Sequence, residues 1–289
     1  MKIAVLLTCF NRKEKTKRCL RLLENQKGLE GIDIHTYLTD DNSPDGTGKS
    51  VREEFPDITV GFGNGQLFWA GGMRNSWNLA LLSGNEYDYY FLLNDDTYMF
   101  EDTLRKMISS NRKQFEKYNV PNITIGTTID DSTKKITYGG YRLYSKLRLK
   151  HFLVNNPDQE EACDLGCANL MLVPASIVNV IGILGDNYIH GVADFDYTMK
   201  AKKAGFGVFV APGILGTCTF DHGKNWKPQS STLKDRIEYL YSPKGLAYKE
   251  FMFFIRQFFP VEVPFIFSKL WIKTLFPIVY DQFKGERQN

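Results

Sequence analysis

Two pairs of adjacent carboxylates stand directly after apolar runs. Tyr89 to Leu93 stops at Asn94-Asp95-Asp96-Thr97, and Ile34 to Thr39 stops at Asp40-Asp41. Neighbouring carboxylates repel each other and are costly to hold unless a positive charge lies between them. A divalent cation with oxygen ligands is the usual answer. An acidic turn with Thr97 capping the next helix is the alternative these residues leave open. A third feature is the glycine-rich stretch from Gly61 to Gly72, whose glycines would let backbone approach a ligand closely. Arg74 follows it at the expected start of a helix, where backbone N–H groups and the helix dipole favour an anion. The spacing is not that of a Gly-x-x-x-x-Gly-Lys-Ser/Thr phosphate loop. A connecting loop with Trp69 as a core plug would read the same way.

The elements that must position these groups are legible in outline. The pattern predicts strands over 3–7, 34–39, 58–60 and 89–93, with helices over 13–26, 47–55, 73–82 and 101–118 between and after them. This alternation predicts a parallel sheet with helices on its faces. Ligands of such sheets bind outside the carboxyl ends of the strands, and both acidic pairs fall on that edge. The second half is less regular. It reads as a strand over 123–128, antiparallel material over 135–144, a polar loop over 155–161 and a strand over 166–173. Pro174 then opens a helix, a further helix spans 194–204 and stops at Gly205, and a strand covers 208–211.

Composition narrows the function classes. With 289 residues, 43% hydrophobic and 24% charged, the chain is globular, and a net charge of only +3 gives no nucleic-acid footprint. Five cysteines at irregular spacings, without Cys-x-x-Cys, predict reduced thiols and no zinc knuckle. Met1-Lys2-Ile3 runs straight into a strand, unlike a signal peptide, and no apolar stretch is long enough to span a bilayer. A cytoplasmic location is therefore expected.

The order of the motifs resembles the GT-A glycosyltransferases of the large inverting family 2. Leu7-Thr8-Cys9-Phe10-Asn11-Arg12 resembles the family's opening segment, and Thr39 through Thr47 resembles Val-Asp-Asp/Asn-x-Ser-x-Asp-Gly-Thr. Asn64-Gly65 through Arg74-Asn75 resembles its Asn-x-Gly…Ala-Arg-Asn loop. Asn94-Asp95-Asp96 resembles the Asp-x-Asp metal motif in a variant beginning with Asn. Ala193-Asp194-Phe195-Asp196 resembles Glu-Asp-x-Asp, and Asp221-His222-Gly223 a late His-Gly element. The match spans roughly residues 1 to 245 and looks nearest to bacterial rhamnosyl- and galactofuranosyl-type transferases of cell-surface polysaccharides such as O-antigen.

The resemblance implies an α/β GT-A fold, a Rossmann-like mixed sheet flanked by helices, over residues 1–240. It implies a metal-dependent inverting enzyme that moves a sugar from a UDP- or dTDP-type donor to a glycan hydroxyl. Asp194 would be the catalytic base, although a carboxylate at a helix start also serves as an N-cap. Asp96 would be the main ligand of Mn²⁺ or Mg²⁺, supported by Asp95 and His222. Thr8, Phe10, Arg12, Asp40, Gly65 and Arg74 would form the nucleotide side, with Asp40 accepting from the base or ribose. Trp69 and Trp226 are candidates to stack on sugar. Two departures stand out: Asn94 replaces the first Asp of the metal motif, which shifts coordination onto Asp96, and Ala193 replaces the usual Glu.

Residues 241–289 differ in composition. Aromatics from Tyr241 to Tyr280 are punctuated by Lys244, Lys249, Arg256, Lys269 and Lys273, and Pro260, Pro264 and Pro277 break the run into short helices. This helical appendage suits the cytoplasmic face of a membrane carrying a lipid-linked acceptor. A lid on the catalytic domain or a homodimer contact would use the same residues. Two other classes remain. A nucleotidyltransferase usually carries a glycine-rich basic loop after its first strand, where this chain has Thr8-Cys9-Phe10-Asn11. A non-catalytic nucleotide- or glycan-binding module would fit the Asn94 and Ala193 departures.

Overall fold

Burial on both faces of the first strand organises the molecule. In the computed structural model, which describes residues 1–220, 231–278 and 280, Ile3 to Leu7 have no exposed surface. Successive side chains of a strand point to opposite faces. Ala4 and Leu6 accordingly join one core, and Ile3, Val5 and Leu7 the other. Two covered faces require helices on both sides, as in parallel α/β sheets.

The first half alternates as the sequence predicts: β1 (Lys2–Cys9), α1 (Lys13–Glu24), β2 (Asp33–Asp40), α2 (Thr47–Glu54), β3 (Thr59–Phe62), α3 (Phe68–Leu82), β4 (Tyr89–Leu93), β5 (Tyr98–Met99) and α4 (Thr103–Tyr118). Shorter strands follow: β6 (Asn122–Ile125), β7 (Thr128–Ile129), β8 (Ile136–Tyr138), β9 (Gly140–Ser145), β10 (Arg148–Val154), β11 (Glu161–Ala162), β12 (Leu165–Gly166) and β13 (Leu170–Pro174). Then come α5 (Ala175–Ile181), α6 (Ala193–Lys203), β14 (Gly207–Val210), β15 (Gly216–Thr217), α7 (Leu233–Tyr241), α8 (Tyr248–Phe258) and α9 (Val263–Leu275).

The main sheet runs β11-β14-β6-β13-β4-β1-β2-β3. Strands β3, β2, β1 and β4 are parallel neighbours, whereas β13 pairs antiparallel with both β4 and β6. The sheet is therefore mixed. The expected strand over 166–173 is two strands with a break at 167–169, and the strand over 123–128 breaks at Gly126-Thr127. Helices α3, α5 and α6 cover one face with Met73, Trp77, Ile177 and Tyr197, and helices α1, α2 and α4 cover the other with Leu20, Val51 and Leu104.

Helix α3 starts earlier than predicted. It begins at Phe68, so Gly71 and Gly72 lie inside it and Arg74 falls in its second turn. Gly72 has a packing reason: a Cβ there would collide with the Thr8 hydroxyl, so α3 lies directly on the end of β1. All five cysteines are free and buried.

The C-terminal helices are not detached. Leu240, Met252, Phe254, Ile255, Phe259 and Leu270 share a core with Ala70, Leu165, Tyr188 and Ala193 of the α/β body. Glu262, just before α9, accepts the Leu149 N–H at 2.6 Å. Among the described residues no helix is long and apolar enough to cross a membrane. Phe254→Ala, which removes a fully buried ring from this shared core, is expected to cost about 3–5 kcal/mol. In urea the whole chain should still unfold in one transition; a separate early transition of the C-terminal helices would contradict the shared core.

Candidate active site

Each acidic turn at the carboxyl edge is fixed by backbone N–H groups. Asp40 ends β2; its Oδ1 accepts from Ser43 N–H (3.0 Å) and its Oδ2 from Gly48 N–H (2.8 Å) in the first turn of α2. It is 2% exposed and does not line the cavity described below. Asp40 thus holds a turn rather than reaching the cavity. Its neighbour Asp41, to which the sequence assigned no separate role, holds the glycine-rich loop. Asp41 accepts from Gly65 N–H (2.8 Å), Leu67 N–H (2.9 Å) and Phe68 N–H (3.0 Å). Gly65 is needed there because its φ of 86° lies in the left-handed region.

At the end of β4 the cation between the carboxylates is supplied by the chain itself. Arg12 Nη1 lies 3.3 Å from Asp95 Oδ1 and 2.5 Å from Asp96 Oδ2. Asp95 also accepts the Thr16 hydroxyl at 3.0 Å. Burial, then the Asp96 charge, pushes the Asp95 carboxyl well above the usual carboxylate range, and Arg12 pulls it back. Asn94 is turned away from this cluster: its Oδ1 accepts the Trp69 indole N–H at 2.8 Å. The first position of the motif therefore anchors Trp69. Asp96 Oδ1 faces the Cys218 thiol at 3.7 Å.

Asp194 opens α6. Its Oδ1 accepts Phe195 N–H (2.9 Å) and its Oδ2 accepts Ala168 N–H (3.3 Å). The carboxyl is packed deep although the residue keeps some exposed surface, and desolvation raises it to about 6. Asn169 follows Ala168, and its carbonyl accepts the Asn94 N–H at 3.2 Å. Two consecutive residues at the break before β13 thus tie the Asp194 carboxyl to the acidic end of β4. Val192, immediately before α6, has φ 54°, a strained conformation for a β-branched residue. Asp196 is fully buried, bonded to the Tyr188 hydroxyl (2.8 Å) and paired with Lys200 (2.7 Å).

A cavity of about 300 Å³, at the lower end of the range for small-molecule sites, opens beside Arg12 and Asp95; Asp96 and Asp194 are not among its lining residues. Thr8, Phe10, Arg12, Gly65, Trp69 and Asp95, all named from the sequence, line it together with Cys9, Asp41, Phe68, His190 and Lys244. Arg74 is not among the lining. Its guanidinium donates to the Gly185 and Tyr188 carbonyls, both at 2.7 Å, and the helix terminus expected to pair with it lies six residues earlier. Arg74 fixes the loop that carries His190. His222 and Trp226 lie outside the described residues. A wider groove of about 540 Å³ near Met1, Gly28 and Arg112 holds none of the motif residues. His190 carried no signal, and Lys244 stood out only as one of the basic residues of the C-terminal aromatic run; both are brought to the cavity by tertiary contacts.

The donor set suits a hard cation only in part. Asp95 and Asp96 offer carboxylate oxygens, but among the described residues no cluster of three or more His, Cys, Asp or Glu could enclose a metal. A cation shared with phosphate oxygens needs only one or two protein ligands. Arg12→Gln leaves the two carboxylates without their countercharge and is expected to cost about 1–3 kcal/mol in urea unfolding with EDTA. Added Mn²⁺ should recover part of that loss; no response to Mn²⁺ would show that the pair takes no metal.

The comparisons agree with this geometry. A family model described as glycosyl transferase family 2 matches residues 4–172, more than half of the chain. No curated protein matches. The mannosyltransferase PcManGT from Pyrobaculum calidifontis, solved with GDP-Man and Mn²⁺, superposes with a TM-score of 0.53 at 13% identity, over 96% of this chain and 72% of its own. S. aureus TarS superposes with a TM-score of 0.54 at 15% identity, over 99% of this chain and half of its own length. At these identities the likeness is one of fold. With the family match over β1 to β13 and this mixed sheet, the chain belongs to glycosyltransferase family 2, an enzyme family, and has the GT-A fold.

Proposed function

We propose that the chain is a metal-dependent inverting glycosyltransferase. It moves a sugar from a nucleoside-diphosphate donor, UDP- or dTDP-linked, to a hydroxyl of a bacterial surface glycan that is lipid-linked. One observation carries this reading: the Asp194 carboxyl, raised to about 6, is joined through Ala168-Asn169 to the acidic end of β4 beside a cavity. Perturbed carboxylates beside a cleft mark functional sites. PcManGT, of the same fold, was solved with a nucleotide sugar and Mn²⁺, which supports a donor and a cation of those classes here.

Asp96, with Asp95, would hold the cation, and His222 is the proposed further ligand. When bound, it supplies Lewis-acid neutralisation of the departing diphosphate. Asp194 takes the proton from the acceptor hydroxyl as that oxygen attacks the anomeric carbon from the face opposite the leaving group, which inverts the centre. Its raised affinity for a proton brings it nearer to neutral pH, where a general base works best. Two backbone N–H bonds keep the carboxyl oriented. Gly65, Phe10 and Thr8 offer backbone and ring surface to the nucleotide, and the Trp69 face is available to the sugar.

The outer side of the C-terminal helices supports a membrane-surface location. Val261, Phe265, Phe267, Ile272 and Phe276 are exposed, interleaved with Lys269 and Lys273. This is the pattern of an interfacial anchor. The same face would serve a homodimer.

Asp194→Asn should retain donor binding in calorimetry while transfer falls at least a hundredfold; full turnover would remove Asp194 from the base role. In the parent enzyme kcat/KM should fall about tenfold per pH unit below about 6, as Asp194 takes up a proton. Phe265→Ser with Phe276→Ser should reduce co-sedimentation with phosphatidylglycerol vesicles; unchanged sedimentation together with loss of a dimer would assign the face to the second copy.

A further inference from the structure

The cavity's charges are nearly all committed within the protein. Asp41 is taken by three backbone N–H groups, and Asp95 by Thr16 and Arg12. Arg12 bridges both Asp95 and Asp96. Lys244 differs. It lines the same cavity, is exposed, and among the described residues no carboxylate lies within ion-pair distance of it. Its ammonium sits 5.7 Å from the centroid of the Phe10 ring, which supports the side chain at the cavity wall.

The segment that carries Lys244 is built, not loose. Between α7 and α8 the Gly245 N–H donates to the Ser242 carbonyl (2.9 Å), Leu246 N–H to Tyr239 (3.0 Å) and Ala247 N–H to Ser242 (3.1 Å). Ala247 takes a φ of 43°, and a Cβ at Gly245 would collide with the Tyr239 carbonyl. Six residues on, Glu250 accepts the Ile189 and His190 N–H groups at 2.9 and 3.2 Å, which locks the C-terminal segment to the opposite cavity wall. All of this lies beyond the family match, which ends at residue 172.

We propose that Lys244 binds the diphosphate of the donor, so that the C-terminal segment completes the donor site. The inference rests on the glycosyltransferase reading above. Setting aside Asp41, which three backbone N–H groups compensate, the Asp95 and Asp96 carboxylates, one guanidinium, a divalent cation and a doubly negative sugar diphosphate leave one negative charge over. The Lys244 ammonium cancels it. Lysine suits this task as a point charge on a flexible stem that can follow the phosphates as the sugar departs. With Asn94 in place of a carboxylate, the site has one negative group fewer with which to hold a cation, and the Lys244 ammonium takes up part of the neutralisation of the diphosphate.

The test is calorimetry on the full chain in Mg²⁺ with UDP, dTDP and GDP, each against its nucleoside. Lys244→Gln should weaken the best-bound diphosphate about tenfold and leave its nucleoside unchanged, while Lys244→Arg keeps most of the affinity. The diphosphate affinity of the parent chain should also fall more steeply with added salt than that of Lys244→Gln. Because Lys244 is exposed, the variants should melt with the parent chain. Equal diphosphate affinity of Lys244→Gln and a parent chain that binds diphosphate would overturn the role of Lys244 alone. A parent chain that binds no nucleoside diphosphate would overturn the donor reading and this inference together.

Discussion

Two carboxylates at the end of a buried strand must be compensated: at β2 backbone N–H groups meet Asp40 and Asp41, and at β4 a positive charge meets Asp95 and Asp96. In this protein the charge is the Arg12 guanidinium, brought from the β1–α1 turn to the end of β4. The position of Arg12 depends on the parallel pairing of β1 with β4, and that pairing depends on the apolar run of β1 packing on both faces. Sheet, helices and acidic edge are thus one problem with one solution. The arrangement also sets a competition. On the proposed reading, a cation entering here would have to share Asp96 with a guanidinium already in place, which would favour entry together with a diphosphate that brings its own oxygens.

The remaining acids of the edge do structural work, holding the backbone around the site in place. Asp40, Asp41 and Asp45 each anchor a different segment: the start of α2, the glycine-rich loop, and the start of α1 through Lys13 N–H. Such carboxylates satisfy the orphan N–H groups of helix starts and tight turns. Around them the backbone is held in uncommon conformations at Asn11, Asn42, Phe68 and Val192, all beside cavity or candidate catalytic residues. Strain concentrated at one edge of a regular sheet is what a preorganised site requires.

The C-terminal helices have two faces with different duties. The inner face shares a core with the α/β body, holds Glu250 against the Ile189–His190 backbone, and the turn before α8 brings Lys244 to the cavity. The outer face leaves large aromatics in contact with solvent. A segment that both closes the donor site and presents an apolar surface can link donor binding to the place where a lipid-linked acceptor would lie.

The sequence by itself determined the strand and helix alternation of the first half, the position of both acidic pairs on one edge, and the family. Those follow from local periodicity, turn chemistry and motif order. It also named six residues that do line the cavity: Thr8, Phe10, Arg12, Gly65, Trp69 and Asp95. Tertiary structure decided what each polar group is for. Asp40 and Asp41 are adjacent and alike in sequence, yet which N–H groups they meet depends on how β2, α2 and the glycine-rich loop pack. Arg74 reads as an anion site only if α3 begins at Met73; packing of Gly72 on Thr8 extends the helix back to Phe68 and turns the guanidinium to Gly185 and Tyr188. Lys244 and His190 reach the cavity through contacts separated by more than a hundred residues from its first strand. No local pattern can encode that, because their place is fixed by the docking of one hydrophobic face against another.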